Sequence, residues 1–241
     1  MYNASESLDF DREEIPTYED VARMFPRPNA PRPIVLVGPP GVGRNELKRR
    51  LLALDPEKYK TTVPYTSRPK KPHETQGKEY HFVTREEMEE DVLSGKFVEF
   101  GEYKGNLYGT TAASIKDVIN SGFVCVLNPH YQVRNSALKM LRTPDIKPFV
   151  VLIKPPSFER LKETRQAAFA RSTFDDNTSR GFTDEEFYEM IRSAERMEFH
   201  YGHLFDTQIV NEDLSTAFEE LLATVHMVLT EPLWVPVSWV Q

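Results

Sequence analysis

The chain has 241 residues, 30 Lys+Arg against 37 Asp+Glu, a formal charge of −7 and 39% apolar residues. That mixture excludes a wholly disordered chain and is long enough to bury a core without disulfide or metal staples. A single cysteine, Cys125, excludes an intrachain disulfide and a cysteine-based zinc cage, and fits a reducing setting. No apolar run approaches the ~20 residues of a membrane-spanning helix. The polar, acidic start, Met1 to Glu14, does not read as a secretory signal, and the acidic balance argues against broad nucleic-acid binding.

In chain order, Ile15 to Val21 is expected to form a short edge strand or a docked peptide. Pro26, Pro28, Pro31 and Pro33 then make an extended linker, because proline fixes φ and lacks the amide donor. Ile34-Val35-Leu36-Val37 is a β-branched run between Pro33 and Gly38 and predicts a buried parallel strand. A helix is expected over Glu46 to Leu54, with Leu47, Leu51 and Leu54 on one face. Further buried strands are predicted at Phe123–Leu127, Phe149–Ile153 and Gln208–Asn211. Helical patterns run over Ser114–Asn120, Gln132–Leu141, Phe158–Arg165, Asp184–Phe199 and Leu214–Leu229. This alternation predicts an α/β fold: a P-loop-type parallel sheet with helices on both faces. Two stretches break it. Thr61 to Tyr108, with a helical island at Arg85–Leu93, predicts a small mixed-sheet insertion. Gln166 to Thr183 lacks periodicity and predicts a long loop or lid. The tail, Trp234 to Val240, alternates like a strand and is expected to pair outside the main sheet.

Gly38-Pro39-Pro40-Gly41-Val42-Gly43-Arg44-Asn45 stands where a strand–turn–helix unit would carry a phosphate loop, G-x-x-x-x-G-K-[ST]. Gly38, Gly41 and Gly43 are present, and helix-start amides favour an anion. But Arg44 replaces the lysine that reaches the terminal phosphates, and Asn45 replaces the hydroxyl that ligates Mg²⁺. The loop is degenerate for ATP–Mg²⁺, and a plain glycine turn is an equal reading of these residues alone.

A second constellation follows. Thr66-Ser67-Arg68-Pro69-Lys70-Lys71-Pro72-His73-Glu74 precedes Gly77-Lys78-Glu79-Tyr80-His81-Phe82, then Phe97-Val98-Glu99-Phe100 and Gly105-Asn106-Leu107-Tyr108-Gly109-Thr110. Arg68 offers a fork for phosphate, Lys71 a point charge, and Tyr80 and Tyr108 phenol donors. Alone, Arg68 to Lys71 would read as a solvated basic turn; in order, the blocks read as a site. From about Arg32 to Leu229 they resemble guanylate kinase. In detail they look like the guanylate-kinase-like domain of membrane-associated (MAGUK) scaffolds, most like the Stardust/Pals branch. The Arg44-Asn45 loop and the closing Trp234 to Trp239 segment fit that group.

The resemblance implies a GMP-type pocket at Arg68, Lys71, Glu74, Tyr80, Glu99, Tyr108 and Thr110. Lys71 replaces an arginine and Pro64 a small hydroxyl residue. It also implies a hinge and linker over residues 1–31, a kinase-like domain over 32–230 and a strand over 231–241 that completes a neighbouring SH3 domain through Trp234 and Trp239. The insertion lies at about 62–112 and the lid at about 157–192. Where the enzymes carry strand-end acids, this chain has Asn128-Pro129-His130; Arg165 and Arg192 lie in the region of the lid arginines without a firm assignment. The implied function is a catalytically inactive scaffold module without cofactor, taking phosphorylated or acidic peptides at the former GMP site, in junction or polarity assemblies such as the Crumbs complex. Its location would be peripheral, on the cytoplasmic side of the plasma membrane at apical or cell–cell junctions. Implied partners are a Crumbs-type tail read with neighbouring PDZ and SH3 domains, the SH3 itself, and weakly GMP, with no nucleic acid and no membrane insertion. The alternatives are an active ATP:GMP kinase and a domain that binds only its own SH3. His73, His81 and His130 match no metal cage, the acidic run Glu86 to Asp91 reads as a solvated helix face, and Cys125 reads as core.

Overall fold

The computed structural model describes residues 19–129, 136–165, 169–172 and 175–241. The chain opens with β1 (Val21–Met24), follows the proline linker into β2 (Ile34–Val37), and turns through the glycine loop into α1 (Arg44–Leu54). Then come β3 (Tyr59–Lys60), β4 (Tyr65–Thr66), β5 (His81–Phe82), α2 (Arg85–Leu93), β6 (Phe97–Tyr103), β7 (Asn106–Thr111), α3 (Ala112–Asn120) and β8 (Val124–Leu127). After α4 (Ser136–Leu141) and β9 (Phe149–Lys154) follow α5 (Phe158–Arg165), β10 (Phe169–Ser172), β11 (Asp175–Gly181) and α6 (Asp184–Tyr201). The chain closes with β12 (Thr207–Val210), α7 (Leu214–Thr230) and β13 (Leu233–Pro236).

The central sheet has the order β12-β9-β2-β8-β3, and every pairing in it is parallel. Side chains alternate across a strand, so β2 sends Ile34 and Leu36 to one face and Val35 and Val37 to the other. The first face buries Leu47 and Leu51 of α1, Leu161 of α5, Phe187 of α6 and Leu221 of α7. The second buries Ile115 and Ile119 of α3, Leu141 of α4 and Cys125 of β8. Two covered faces explain why these strands are continuous apolar runs. Leu54 departs from the expected helix face: it is 56% exposed, because it lies in the last turn beyond the contact made by Leu47 and Leu51.

The insertion is the expected mixed sheet, order β5-β4-β7-β6, with β4–β5 parallel and the other two pairings antiparallel. α2 begins with a reciprocal cap, Thr84 with Glu87, and drives Met88 against Phe97 and Leu107. The expected loop after α5 is instead, in its described parts, an antiparallel hairpin of β10 and β11. Backbone pairing holds it without an apolar stripe, which is why periodicity did not reveal it. The edge-strand reading of Ile15 to Val21 lies outside the described residues except at its end; the strand found is Val21–Met24.

The tail pairs outside the main sheet, as expected: β1 and β13 form an antiparallel ribbon with Arg23 opposite Trp234. Its strand ends at Pro236, and Val237–Trp239 is a 3-10 turn. Trp239 is therefore a core residue of the junction. It is buried with Met24 and Val235, and the guanidinium carbons of Arg142 and Arg32 lie 5.2 and 5.7 Å from its ring. Asp206 balances both arginines at 3.7 Å, while Arg32 also donates to the carbonyls of Lys147 and Pro148. Burial brings the Arg32 pKa down to about 10 despite Asp206. Trp234, by contrast, is 65% exposed.

Candidate functional site

The turn from β2 into α1 requires its glycines. Gly38 has φ +151°, and a Cβ there would stand 2.4 Å from the Ile153 carbonyl oxygen. At Gly43, φ is +106° and a Cβ would meet Asn211 Nδ2 at 2.5 Å. That same amide donates to the Val42 carbonyl at 2.8 Å, so buried Asn211 clamps the loop from the end of β12. Gly41 faces Phe182 and Met190 in the same way. The loop is thus built to nucleotide-loop tightness.

What fills it is different. Arg44 turns inward and donates from Nη1 to the Pro129 carbonyl at 2.7 Å. One helical turn on, Lys48 Nζ donates to Asn128 Oδ1 at 2.9 Å, and the Asn128 amide donates to Asn45 Oδ1. Neutral groups from the end of β8 therefore receive the cations of α1. Burial lowers the Arg44 pKa to about 10 and lowers that of Lys48 as well, with Glu99 opposing both shifts. A hydroxyl metal ligand and a strand-end acid, the two groups a phosphoryl-transfer site uses to hold Mg²⁺, are replaced here by two amides joined to each other.

The second constellation gathers in the mixed sheet. The Thr66 hydroxyl donates to the Leu107 carbonyl at 2.9 Å and accepts the Arg68 N–H at 3.1 Å, fixing the turn that launches Arg68. Arg68 Nη2 and Nη1 reach the two oxygens of Glu74 at 2.6 and 3.0 Å, and Nη1 also donates to the Pro69 carbonyl at 2.8 Å. The Arg68 guanidinium carbon lies 5.6 Å from the Tyr80 ring and 5.5 Å from that of Phe82. The Tyr80 and Tyr108 rings meet edge-on at 5.8 Å. Glu74 is held at a pKa of about 2, first by the Arg68 bond and then by the Lys71 N–H at 2.8 Å. Burial is the main cause of the raised Tyr80 pKa. Lys71 itself is exposed. Glu99 of β6 accepts from the buried Thr110 hydroxyl of β7 at 3.2 Å.

Thus Arg68, Glu74, Tyr80 and Tyr108 come together with Lys71 at the rim, and Glu99 pairs with Thr110 beside them. The expected sharing of one basic pocket by Arg44, Arg68 and Lys71 is corrected: Arg44 is part-buried and turned to the Pro129 carbonyl, and Arg68 is already paired with Glu74. Arg165 donates to the Asn211 carbonyl at 2.9 Å, Arg192 is exposed, and His130 lies outside the described residues. Cys125 is buried and its thiol is pushed up to about 12, as befits a core residue. Among the described residues no cluster of His, Cys, Asp or Glu could hold a metal ion, and no helix is long and apolar enough to cross a membrane. Sequence reasoning missed Lys48, whose spacing of four from Arg44 places it on the same helix face, and Phe82, which walls Arg68. It also missed Asn211, for which no local pattern exists.

The guanylate kinase family model matches residues 30–227. MAGUK p55 subfamily member 7 of Danio rerio is 47% identical over 99% of this chain, which covers 41% of that protein. Protein PALS1 of Danio rerio is 45% identical over 100% of this chain, which covers 34% of that protein. The chain therefore spans about two-fifths or less of the length of these relatives. Among solved structures, the SH3-kinase fragment of tight junction protein 3 superposes with a TM-score of 0.50 at 19% identity, covering 91% of this chain and 65% of that one, which supports the fold. The chain belongs to the guanylate kinase family.

Proposed function

We propose that this chain is a pseudo-guanylate-kinase module of a scaffold protein, which binds phosphorylated or acidic peptides at the Arg68 seat and does not transfer phosphate. The observation that carries this reading is the Lys48–Asn128–Asn45 chain of hydrogen bonds in the nucleotide loop. Phosphoryl transfer depends on positioning and charge neutralisation by cation and metal. Here the replacing amides bond to one another and the Arg44 guanidinium is turned to a backbone carbonyl. On the other side, Arg68, Lys71, Tyr80 and Tyr108 keep donors suited to an anion. Likeness to MAGUK p55 proteins supports the scaffold setting. In that setting the exposed Trp234 on the β1–β13 ribbon meets a neighbouring SH3 domain, the location is peripheral at the cytoplasmic face of junctional or apical membrane, and a Crumbs-type receptor tail is a candidate partner.

The test is a coupled ADP-release assay beside calorimetry with a phosphoserine peptide. Peptide binding that Arg68→Ala removes, with no turnover, is expected. Turnover in the range of about 1–100 s⁻¹ typical of kinases would establish an active ATP:GMP kinase instead.

A further inference from the structure

The linker between β1 and β2 also walls a groove. Its prolines keep it extended, and between it, the start of β8 and the end of α7 lies a recess of about 270 Å³. Met24, Val124, Val228 and Leu233 give the recess an apolar floor, and Phe25 on its wall is 69% exposed. Val124 opens β8 and Arg32 precedes β2, so the recess lies at the N-terminal ends of the sheet strands, away from the glycine loop that follows β2. Its rim is positive. Arg27 and Lys58 line it, both exposed, and neither is paired with a carboxylate among the described residues. Burial lowers the pKa values of Arg32 and Lys147, and the nearby charge of Arg27 lowers both further. Asp206 is taken up by Arg32 and Arg142, and Glu231 is the one carboxylate in the described lining. In a chain of net charge −7 this is a local excess of positive charge beside an apolar recess.

We propose that this recess is a second docking site, for a short acidic segment of a partner protein: a large apolar side chain enters the recess and carboxylates on either side of it meet Arg27 and Lys58. The occupant follows from size and charge. The recess is smaller than the ~300–1,000 Å³ of a site for a drug-sized molecule, so it suits a side chain rather than a nucleotide. Its apolar floor rewards burial of that side chain, and cations without partners at the rim steer and orient an acidic segment while rejecting a basic one. A peptide fits better than a lipid surface because most of the apolar area is recessed, and only Phe25 stands out from it.

The experiment titrates the full chain carrying Arg68→Ala, which silences the first seat, with the capped peptide Glu-Asp-Phe-Asp-Glu, read by calorimetry and by ¹⁵N–¹H backbone spectra. Saturable binding with a dissociation constant below about 1 mM is expected, with the Arg27, Gly122 and Val124 amides shifting. Two exchanges carry the assignment. Arg27→Glu with Lys58→Glu, both at exposed positions, is expected to weaken the peptide about tenfold. Replacing the phenylalanine of the peptide by glycine is expected to weaken it about tenfold as well. Absence of saturable binding, shifts confined to the mixed sheet, or a loss of less than about threefold on either exchange overturns the inference. So does binding of phosphatidylserine vesicles that needs Arg27 and Lys58 while the peptide does not bind, which makes the rim a membrane contact. The result is independent of the Arg68 seat, which has been removed in the titrated variant.

Discussion

The glycine-loop side and the mixed-sheet side are both coupled to Glu99, yet they treat charge in opposite ways. On the α1 side, Arg44 and Lys48 are drawn inward onto neutral acceptors, Pro129 and Asn128, and Asn128 is tied to Asn45. On the mixed-sheet side, Arg68 lies beside the Tyr80 and Phe82 rings, paired with the Glu74 carboxylate and within reach of Tyr108. Part-buried cations already satisfied by neutral acceptors are turned away from a triphosphate. Arg68, its side chain 18% exposed and pinned by Glu74, has the exposed Lys71 near it and suits a single anion. On the proposed reading, the α1 side no longer serves a donor nucleotide while the mixed-sheet side stays competent to bind.

The comparison can be broken most sharply by catalysis. Release of ADP from ATP and GMP is expected to stay at least about four orders of magnitude below ordinary kinase rates; a coupled assay with Mg²⁺ measures it. The next largest effect lies outside both halves. Trp239→Ala removes the aromatic face shared by Arg32 and Arg142 and is expected to cost about 3–5 kcal/mol in denaturant unfolding. It should lower stability while peptide affinity at Arg68 holds, since the two lie on different sheets. Arg68→Ala is expected to weaken a phosphoserine peptide by about 1.5–3 kcal/mol, read by calorimetry. On the α1 side, Gly43→Ala places a Cβ against Asn211 at positive φ and is expected to destabilise by about 1–3 kcal/mol without changing peptide binding, visible as a lowered Tm.

The smallest effect is one of pH. Glu74 has a folded pKa of about 2, below its ordinary value, so its stabilising contribution is complete above the unfolded value near ~4.3 and is lost as pH falls toward about 2. The phosphate of a peptide takes up its second proton near ~6. Phosphopeptide affinity should thus decline between about pH 7 and 5, while the Arg68–Glu74 pair, followed by the Arg68 Nε signal, stays unchanged over that range.

Most of the fold was legible because its strands are buried on both faces and its helices carry simple apolar stripes. Ile34–Val37 and Phe149–Ile153 read as parallel strands for that reason. The mixed sheet was legible from its Thr, Tyr, Phe and Gly content and α2 as a helical island within it, while the Thr84–Glu87 cap that starts α2 emerged from the structure. The hairpin of β10 and β11 was not, since it pairs only with itself. At the site, residue identity was legible but pairing was not. Arg68 and Glu74 both stood out, yet nothing local says that one occupies the other. Trp239 read as a strand residue because alternation continues past Pro236, whereas the arginines that bury it come from distant segments. Asn211, buried under Gly43, owes its role to a contact across 169 positions.

The central claim is that the glycine-loop side is closed to nucleotide and the Arg68 seat is open to an anion. Calorimetric titration of the full chain with ATP–Mg²⁺, GMP and a phosphoserine peptide under one set of conditions tests it most directly. The expected result is peptide binding that Arg68→Ala removes, weak GMP binding at the same seat, and no heat from ATP–Mg²⁺. Saturable ATP–Mg²⁺ binding, with no response to the peptide, would contradict it.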